Sequence, residues 1–315
     1  MLGGTGWLSG RIARRWLDAG ARVTCLARGE RAAPDGAVLV RGDRDDPEVY
    51  DALAAREWDQ VVDISSRAAH VERAVEVLGD RAARWTQVSS VSVYSDDTTV
   101  GADESASRHP AARPGDEDDY GAQKAAAEDV VGRLGERAFV VRPGLIVGDG
   151  DPTDRFGYWA AAFARAGAGP VLLPPLKGKS AQVIDVDDLA AYIVAATRSG
   201  VVNAVGNEHP LAEVLGAIRT AAGHTGATIV GEEDWLVAHR VEYWAGPRSL
   251  PLWLPPEMTG FMSRSNAVFC ADGGALRPLT DTVDRVLADE RERGVDRERR
   301  AGLTRAEELA LLGDR

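Results

Sequence analysis

Cysteine is nearly absent from this chain: Cys25 and Cys270 are its only two in 315 residues. So few thiols, so far apart, exclude a disulfide framework and a thiolate metal site, and a reducing cytoplasm is the expected home. Histidine is scarce too, and His70, His109, His209, His224 and His239 are scattered without ligand-like spacing, so no metal is expected. No apolar run approaches the ~18 residues a bilayer requires, and no charged leader with an apolar stretch and cleavage site opens the sequence. A protein neither embedded in a membrane nor exported by that route is expected. Long basic runs are missing as well, and the formal charge is −12, which disfavours sequence-independent binding to nucleic acid or to an anionic membrane.

What is present is ordinary for a globular protein: 44% hydrophobic and 27% charged residues, enough to bury a substantial core. Strand-like runs at Arg22–Ala27, Ala37–Val40, Gln60–Ile64, Trp85–Ser89 and Ala138–Arg142 alternate with helical patterns at Leu8–Ala19, Pro47–Arg56, Ala69–Leu78 and Tyr120–Leu134. That rhythm predicts a mainly parallel sheet covered by helices on both faces, with ligands at the carboxyl ends of the strands. The stretch Asp96–Asp119, rich in Asp, Glu, Ser and Pro, is expected to be a surface loop bordering the site. After Gly148 the regularity weakens, returns at Val186–Thr197, and lapses again over Trp235–Arg264 before a helical pattern at Leu279–Glu292. A smaller carboxy-terminal lobe is expected, and the Arg- and Glu-dense tail Arg291–Arg300 reads as a solvated helix face.

Gly3-Gly4-Thr5-Gly6-Trp7-Leu8-Ser9-Gly10 leads straight into an amphipathic helix. Glycines at such a turn let a pyrophosphate approach backbone N–H groups at the helix start. Gly3 and Gly6 take the first two motif positions, Ser9 takes the third and Gly10 follows it; Trp7 and Leu8 then stand at the cofactor. Only Met1 and Leu2 precede the turn, where a complete strand is normal. A start misplaced downstream of the native one is the expectation, with an unusually short first strand as the alternative, and an upstream extension should then raise the thermal unfolding temperature. At the end of the second strand Ala27 stands where NAD-selective sites place an acid, and Arg28 supplies a cation suited to the NADP 2′-phosphate. NADP is preferred to NAD on that ground, with Arg31 read as an exposed arginine and Asp43 as an acceptor for the adenine amino group.

Tyr120 and Lys124 open a helix-forming segment, and their i,i+4 spacing places both on one face. Ser89-Ser90-Val91-Ser92-Val93-Tyr94 ends the preceding strand. These residues, in this order with the glycine turn, resemble the NAD-dependent epimerase/dehydratase family, the extended short-chain dehydrogenases/reductases. Arg142-Pro143-Gly144-Leu145-Ile146-Val147-Gly148 resembles the family's next landmark, where Pro143 and its neighbours face the nicotinamide, and Ile184-Asp185-Val186-Asp187-Asp188-Leu189-Ala190 resembles a later one; the likeness spans roughly 1–210. It implies an α/β fold, a Rossmann-like doubly wound parallel sheet with a smaller, irregular C-terminal substrate lobe. The NAD(P)-binding domain would cover 1–150, with about 181–206 returning to it, and 151–315 would be mainly substrate lobe and C-terminal helices.

The resemblance also implies Ser90, four residues before Tyr94, Tyr120 and Lys124 as catalytic residues. Ser90 and Tyr120 would donate hydrogen bonds to a substrate oxygen that becomes negative during carbonyl reduction. Lys124 would favour the phenolate in the reverse direction and hold the nicotinamide ribose. Val91 and Ser92 replace the acid/base pair of the family's dehydratases, and Ala181 replaces an arginine common in its nucleotide-sugar epimerases, so both of those substrate types are disfavoured. Arg155 and Tyr158, in an aromatic segment, are candidate substrate contacts, with a core role as the alternative. A cytoplasmic oxidoreductase acting on a small carbonyl compound is the expectation. An epimerase retaining NAD, and a non-catalytic dinucleotide sensor or RNA-binding relative, stand as alternatives. The family further implies a homodimer through the helices around Ala69–Leu78 and Tyr120–Leu134.

Overall fold

Apolar residues repeating every second position in short runs, and every third or fourth in longer ones, make strand and helix alternate from the start of the chain. The computed structural model describes residues 1–113 and 115–314. Pro114, in the 96–119 loop, and the last residue of the expected carboxy-terminal lobe, Arg315, lie outside the described residues. Helix α1 (Trp7–Asp18) is followed by β1 (Thr24–Ala27), β2 (Val38–Arg41), a 3-10 turn running into α2 (Asp51–Ala54), β3 (Val61–Asp63), α3 (Ala68–Leu78), β4 (Trp85–Val88), α4 (Tyr120–Gly132) and β5 (Ala138–Pro143). Then come β6 (Leu145–Val147), α5 (Arg155–Ala166), β7 (Val171–Leu173), β8 (Ser180–Asp185), α6 (Val186–Ala195), β9 (Gly200–Ala204), β10 (Glu208–Pro210) and α7 (Leu211–Ala222). The chain ends through β11 (Thr228–Val230), α8 (Glu233–Ala238), β12 (Glu242–Trp244), β13 (Ser249–Pro251), α9 (Ala267–Ala271), α10 (Leu279–Arg293) and α11 (Arg305–Gly313).

Two compact units result. The first comprises Met1–Leu145, Val186–Gly206 and Arg264–Ala275, so it includes a stretch, 264–275, that the sequence pattern leaves in the carboxy-terminal lobe. Its strands are all parallel: β1 pairs with β2, while β3, β4, β5 and β9 form a second ladder in that order. Leu2 joins the two ladders, bridging Leu26 on one side and Asp63 on the other, so the central strand is reduced to a bridge. Met1 also lines a cavity of about 650 Å3 with Trp16, Val23, Trp58 and Gln60. Alternation along β1 sends Cys25 into a cluster with Ala13 of α1, and Leu26 into a larger one with Val71 and Ala74 of α3, Val130 and Val131 of α4 and Trp85 of β4. Both faces of the sheet are thus apolar and helix-covered, the doubly wound arrangement.

The second unit comprises Ile146–Asp185, Asn207–Ser263 and Leu276–Arg315. Here β8 pairs antiparallel with β10, β7 pairs with β11 and β12 with β13, and helices α5, α7 and α10 pack together. The segment around Trp159 is the helix α5 rather than irregular chain: Phe156 to Phe163 are buried without exception. A helix buried on every side shows no polar stripe, so periodicity does not reveal it. Among the described residues no helix is long and apolar enough to cross a membrane.

Candidate functional site

The glycine turn connects Leu2 to α1 and lies at the carboxyl edge of the parallel sheet. Gly3 has φ +83°, a conformation that side chains bearing a Cβ rarely adopt. Gly4, which the motif spacing leaves unassigned, is equally constrained, because a Cβ there would lie 2.5 Å from Cys25 Sγ. Gly6 caps α1, its N–H donating to Ser9 Oγ at 3.0 Å, and that hydroxyl donates to the Gly3 carbonyl at 2.7 Å. Ser9, in the third motif position, therefore closes the turn through its side chain. Leu8 is buried, leaving its backbone rather than its side chain to face a ligand, while Trp7 is half-buried.

A cavity of about 530 Å3 opens over this turn, lined by Gly3, Gly6, Arg28, Arg31, Asp43 and Ser65 among others. Arg28 is exposed and meets Glu30 only at 3.4 Å, a surface pairing that leaves the guanidinium available to a ligand. Asp43 is exposed and its Oδ1 accepts the Asp45 N–H at 3.0 Å. Sequence reading missed Arg44, the next residue. Its two Nη atoms donate to both Asp63 oxygens at 2.7 Å, its Nε to Tyr50 Oη at 2.8 Å and Nη2 also to the His70 carbonyl at 2.7 Å. Asp63 is fully buried, so the pair is a structural clamp on the end of β3. Only contacts distant in sequence reveal it. The cavity fits the adenosine and pyrophosphate end of a dinucleotide: the glycines leave room for its phosphates, and Arg28 and Arg31 supply positive charge in a chain of net charge −12.

Asp119 starts α4 by accepting the Ala122 N–H at 2.9 Å. Tyr120, in the first turn, is 47% exposed, whereas Lys124, one turn on, is 3% exposed. The Lys124 Nζ donates to the carbonyls of Val88 at 2.7 Å, Ser65 at 2.8 Å and Ile64 at 3.4 Å, which places it across the carboxyl ends of β3 and β4. It lies 5.8 Å from the centre of the Tyr120 ring. Burial pushes the Lys124 ammonium down to about 8, against the opposing pull of Asp63 and Glu128. Ser90 begins the tight turn after β4, accepting the Ser92 N–H and donating to Ser92 Oγ, both at 3.1 Å. The turn and α4 touch through Gly121, where a Cβ would lie 2.5 Å from the Ser92 carbonyl. The sequence pattern does not single out Gly121, and marks Ser92 only by the acid it replaces, since this contact is made in the fold.

Pro143 ends β5 and is buried. The two candidate substrate contacts fare differently. Arg155 is half-buried, its Nε donating to Thr153 Oγ1 at 3.3 Å and its guanidinium stacked 4.9 Å from the Trp244 ring centre. Tyr158 is fully buried, edge-on to Trp159 at 4.9 Å, and a Cβ on Gly302 would strike its ring. Its place is therefore in the core, where it presents no surface to a substrate. Among the described residues no group of three His, Cys, Asp or Glu side chains is placed to hold a metal ion.

A family model described as the NAD dependent epimerase/dehydratase family matches residues 1–207. No curated protein matches the sequence. Among solved structures, the Bordetella bronchiseptica enzyme WbmH in complex with NAD+ superposes with a TM-score of 0.68 at 16% identity, covering 92% of this chain and 97% of that one. The Thermus thermophilus UDP-glucose 4-epimerase complex with NAD gives 0.65 at 18% identity, with coverage of 92% and 97%. The Thermotoga maritima UDP-glucose 4-epimerase with UDP-glucose gives 0.67 at 12% identity, with coverage of 93% and 98%. At these identities the likeness is one of fold.

Proposed function

The chain belongs to the NAD dependent epimerase/dehydratase family and is an NAD(P)-dependent enzyme of the extended short-chain dehydrogenase/reductase type; from that premise we propose that it reduces a small carbonyl compound, with NADP favoured over NAD. The observation that carries this reading is the placement of Lys124, buried across the ends of β3 and β4 with the exposed Tyr120 one turn away and the Ser90 turn in contact through Gly121.

Gly3, Gly6 and the first N–H groups of α1 would hold the pyrophosphate, Arg28 the 2′-phosphate, Asp43 the adenine, and Lys124 the nicotinamide ribose, with Pro143 beside the nicotinamide. Bound there, the reduced nicotinamide supplies a hydride. Ser90 Oγ and Tyr120 Oη donate to the substrate oxygen as it gains negative charge, which lowers the barrier by stabilising charge where it develops. Tyr120 then passes its proton to that oxygen. The Lys124 positive charge stabilises the phenolate left behind, and solvent at the exposed Tyr120 returns the proton. Arg155 remains the candidate substrate contact.

The test is a titration of nucleotide-stripped protein with NADPH and NADH in parallel. An NADPH preference of about tenfold or more, removed by Arg28→Ala, is expected. Tight retention of NAD(H) through purification, without net cofactor consumption, would replace the reductase with an epimerase. Tyr120→Phe should keep cofactor binding and lose roughly 10²- to 10⁴-fold in turnover; full turnover in that variant would sink the mechanism.

A further inference from the structure

Behind the site lies a buried polar network that the mechanism above leaves unused. Arg142, at the carboxyl end of β5, is 3% exposed, and its Nε and Nη2 donate to the two oxygens of Glu128 at 2.9 and 2.6 Å. Glu128 is itself 5% exposed and sits on α4 one turn beyond Lys124. The remaining nitrogen, Arg142 Nη1, donates to Tyr94 Oη at 2.8 Å and to the Glu104 carbonyl at 3.3 Å. Tyr94 Oη donates onward to Asn203 Oδ1 on β9 at 2.6 Å. Tyr94 closes the turn that Ser90 opens. Two guanidiniums approach its ring, with Arg142 Cζ at 4.8 Å and Arg264 Cζ at 4.5 Å from its centre. From the loop, Arg108 adds a third bond to the Glu128 carboxylate at 3.0 Å, and the Asn203 N–H donates to Glu104 Oε1 at 2.8 Å.

Stability alone gives little reason for such a cluster, because a buried ion pair costs desolvation that well-packed apolar residues avoid. A set of short side-chain bonds does something an apolar contact cannot, which is to hold its members in one relative geometry. Here two members, Tyr94 and Glu128, belong to the two segments that carry the site, the turn from Ser90 to Tyr94 and α4 with Tyr120 and Lys124, and Arg142 of β5 joins them. The i,i+4 step from Lys124 to Glu128 means that pinning Glu128 to β5 sets both the rotation and the depth of the helix face that presents Lys124.

We propose that Tyr94, Arg142 and Glu128 are positioning residues that hold α4, and with it the Lys124 ammonium, in register with the Ser90 turn. The proposal rests on the reading of Lys124 as a cofactor-holding residue. Neither the three nor Lys124 lines the cavity over the glycine turn, so an effect of the three on cofactor affinity is expected through the ribose contact proposed for Lys124.

NADPH affinity, followed by nucleotide fluorescence, tests this in wild type, Lys124→Met, Tyr94→Phe, Glu128→Gln and the Tyr94→Phe/Lys124→Met double variant. Lys124→Met is expected to weaken binding about 10-fold, and Tyr94→Phe and Glu128→Gln about 3- to 10-fold each. The double variant should bind no more weakly than Lys124→Met alone, a non-additivity that a general loss of stability would not produce. Unchanged affinity in Lys124→Met would remove the reading of Lys124 and the proposal with it. Weakened binding in Lys124→Met with wild-type binding in both Tyr94→Phe and Glu128→Gln would overturn the proposal and leave the reading standing. Additive losses in the double variant would also overturn it, since Tyr94 would then act by a route that bypasses Lys124.

Discussion

At Lys124 burial and charge oppose each other. Its ammonium is enclosed by protein, and burial brings it from an ordinary 10.5 down to about 8. A lysine with a depressed pKa in the fold penalises the folded state wherever the ammonium is charged. Between about 8 and 10.5 the unfolded chain binds the extra proton, so stability rises with pH through that window. Below it the penalty is fully present, and above it the penalty is gone. Urea denaturation of wild type and Lys124→Met from pH 7 to 11 should show the difference moving in favour of wild type by about 3 kcal/mol; a flat difference would mean that the ammonium is solvated. The shared face of Tyr120 and Lys124 was legible in sequence because a four-residue step on a helix is local information, while their catalytic roles are what the family resemblance implies. Arg44 was not, because its partner Asp63 lies in a different strand and the pair exists only once the sheet has formed. Tyr158 shows the same limit from the other side: an aromatic beside an arginine suits a pocket or a core equally until burial is known.

At the scale of the element, α4 is unusual in having most of its length buried, with charged residues among those enclosed. Its two glycines separate the constraints on it. Gly121 meets the Ser92 carbonyl, whereas nothing stands within 4 Å of a Cβ on Gly132. Gly121→Val should therefore displace the first turn from the Ser90 turn and lower turnover in the proposed reaction about 10²-fold. Gly132→Ala should leave turnover alone and stabilise by roughly 0.5–1 kcal/mol in urea denaturation. Equal behaviour of the two variants would contradict the contact with Ser92. The N-cap makes a third case: Asp119→Ala removes the acceptor for the Ala122 N–H and should cost about 1 kcal/mol of stability. The helix start at Tyr120 is readable from the sequence pattern, but its Asp119 cap and the anchoring of the loop before it are not. The loop's Asp- and Ser-rich sequence reads as a surface loop bordering the site, and the structure adds what holds it: Arg142 binds the Glu104 carbonyl, and Arg264 binds Asp97 and the Asp96 carbonyl. Those anchors come from 38 and about 167 residues away, beyond any local pattern.

For the whole molecule, the site residues that sequence motifs single out for cofactor and catalysis all lie in the first unit. Cofactor binding should therefore stabilise that unit by mass action, by about 2.7 kcal/mol when free NADPH is 100-fold above its Kd. Calorimetry with and without NADPH should show an upward shift in the unfolding temperature that Arg28→Ala reduces. No shift with either nucleotide would count against the dinucleotide cavity.

Order along the chain was enough to establish the alternating strands and helices, the glycine turn and the Tyr120–Lys124 face, because each depends on neighbours within a few residues. Tertiary structure decided the rest. It returned Arg264–Ala275 to the first unit, buried α5 on all sides, enclosed Lys124, and joined Tyr94, Arg142, Glu128 and Asn203. Burial and pairing between distant segments arise only when strands settle side by side, and no local repeat in the sequence carries that information.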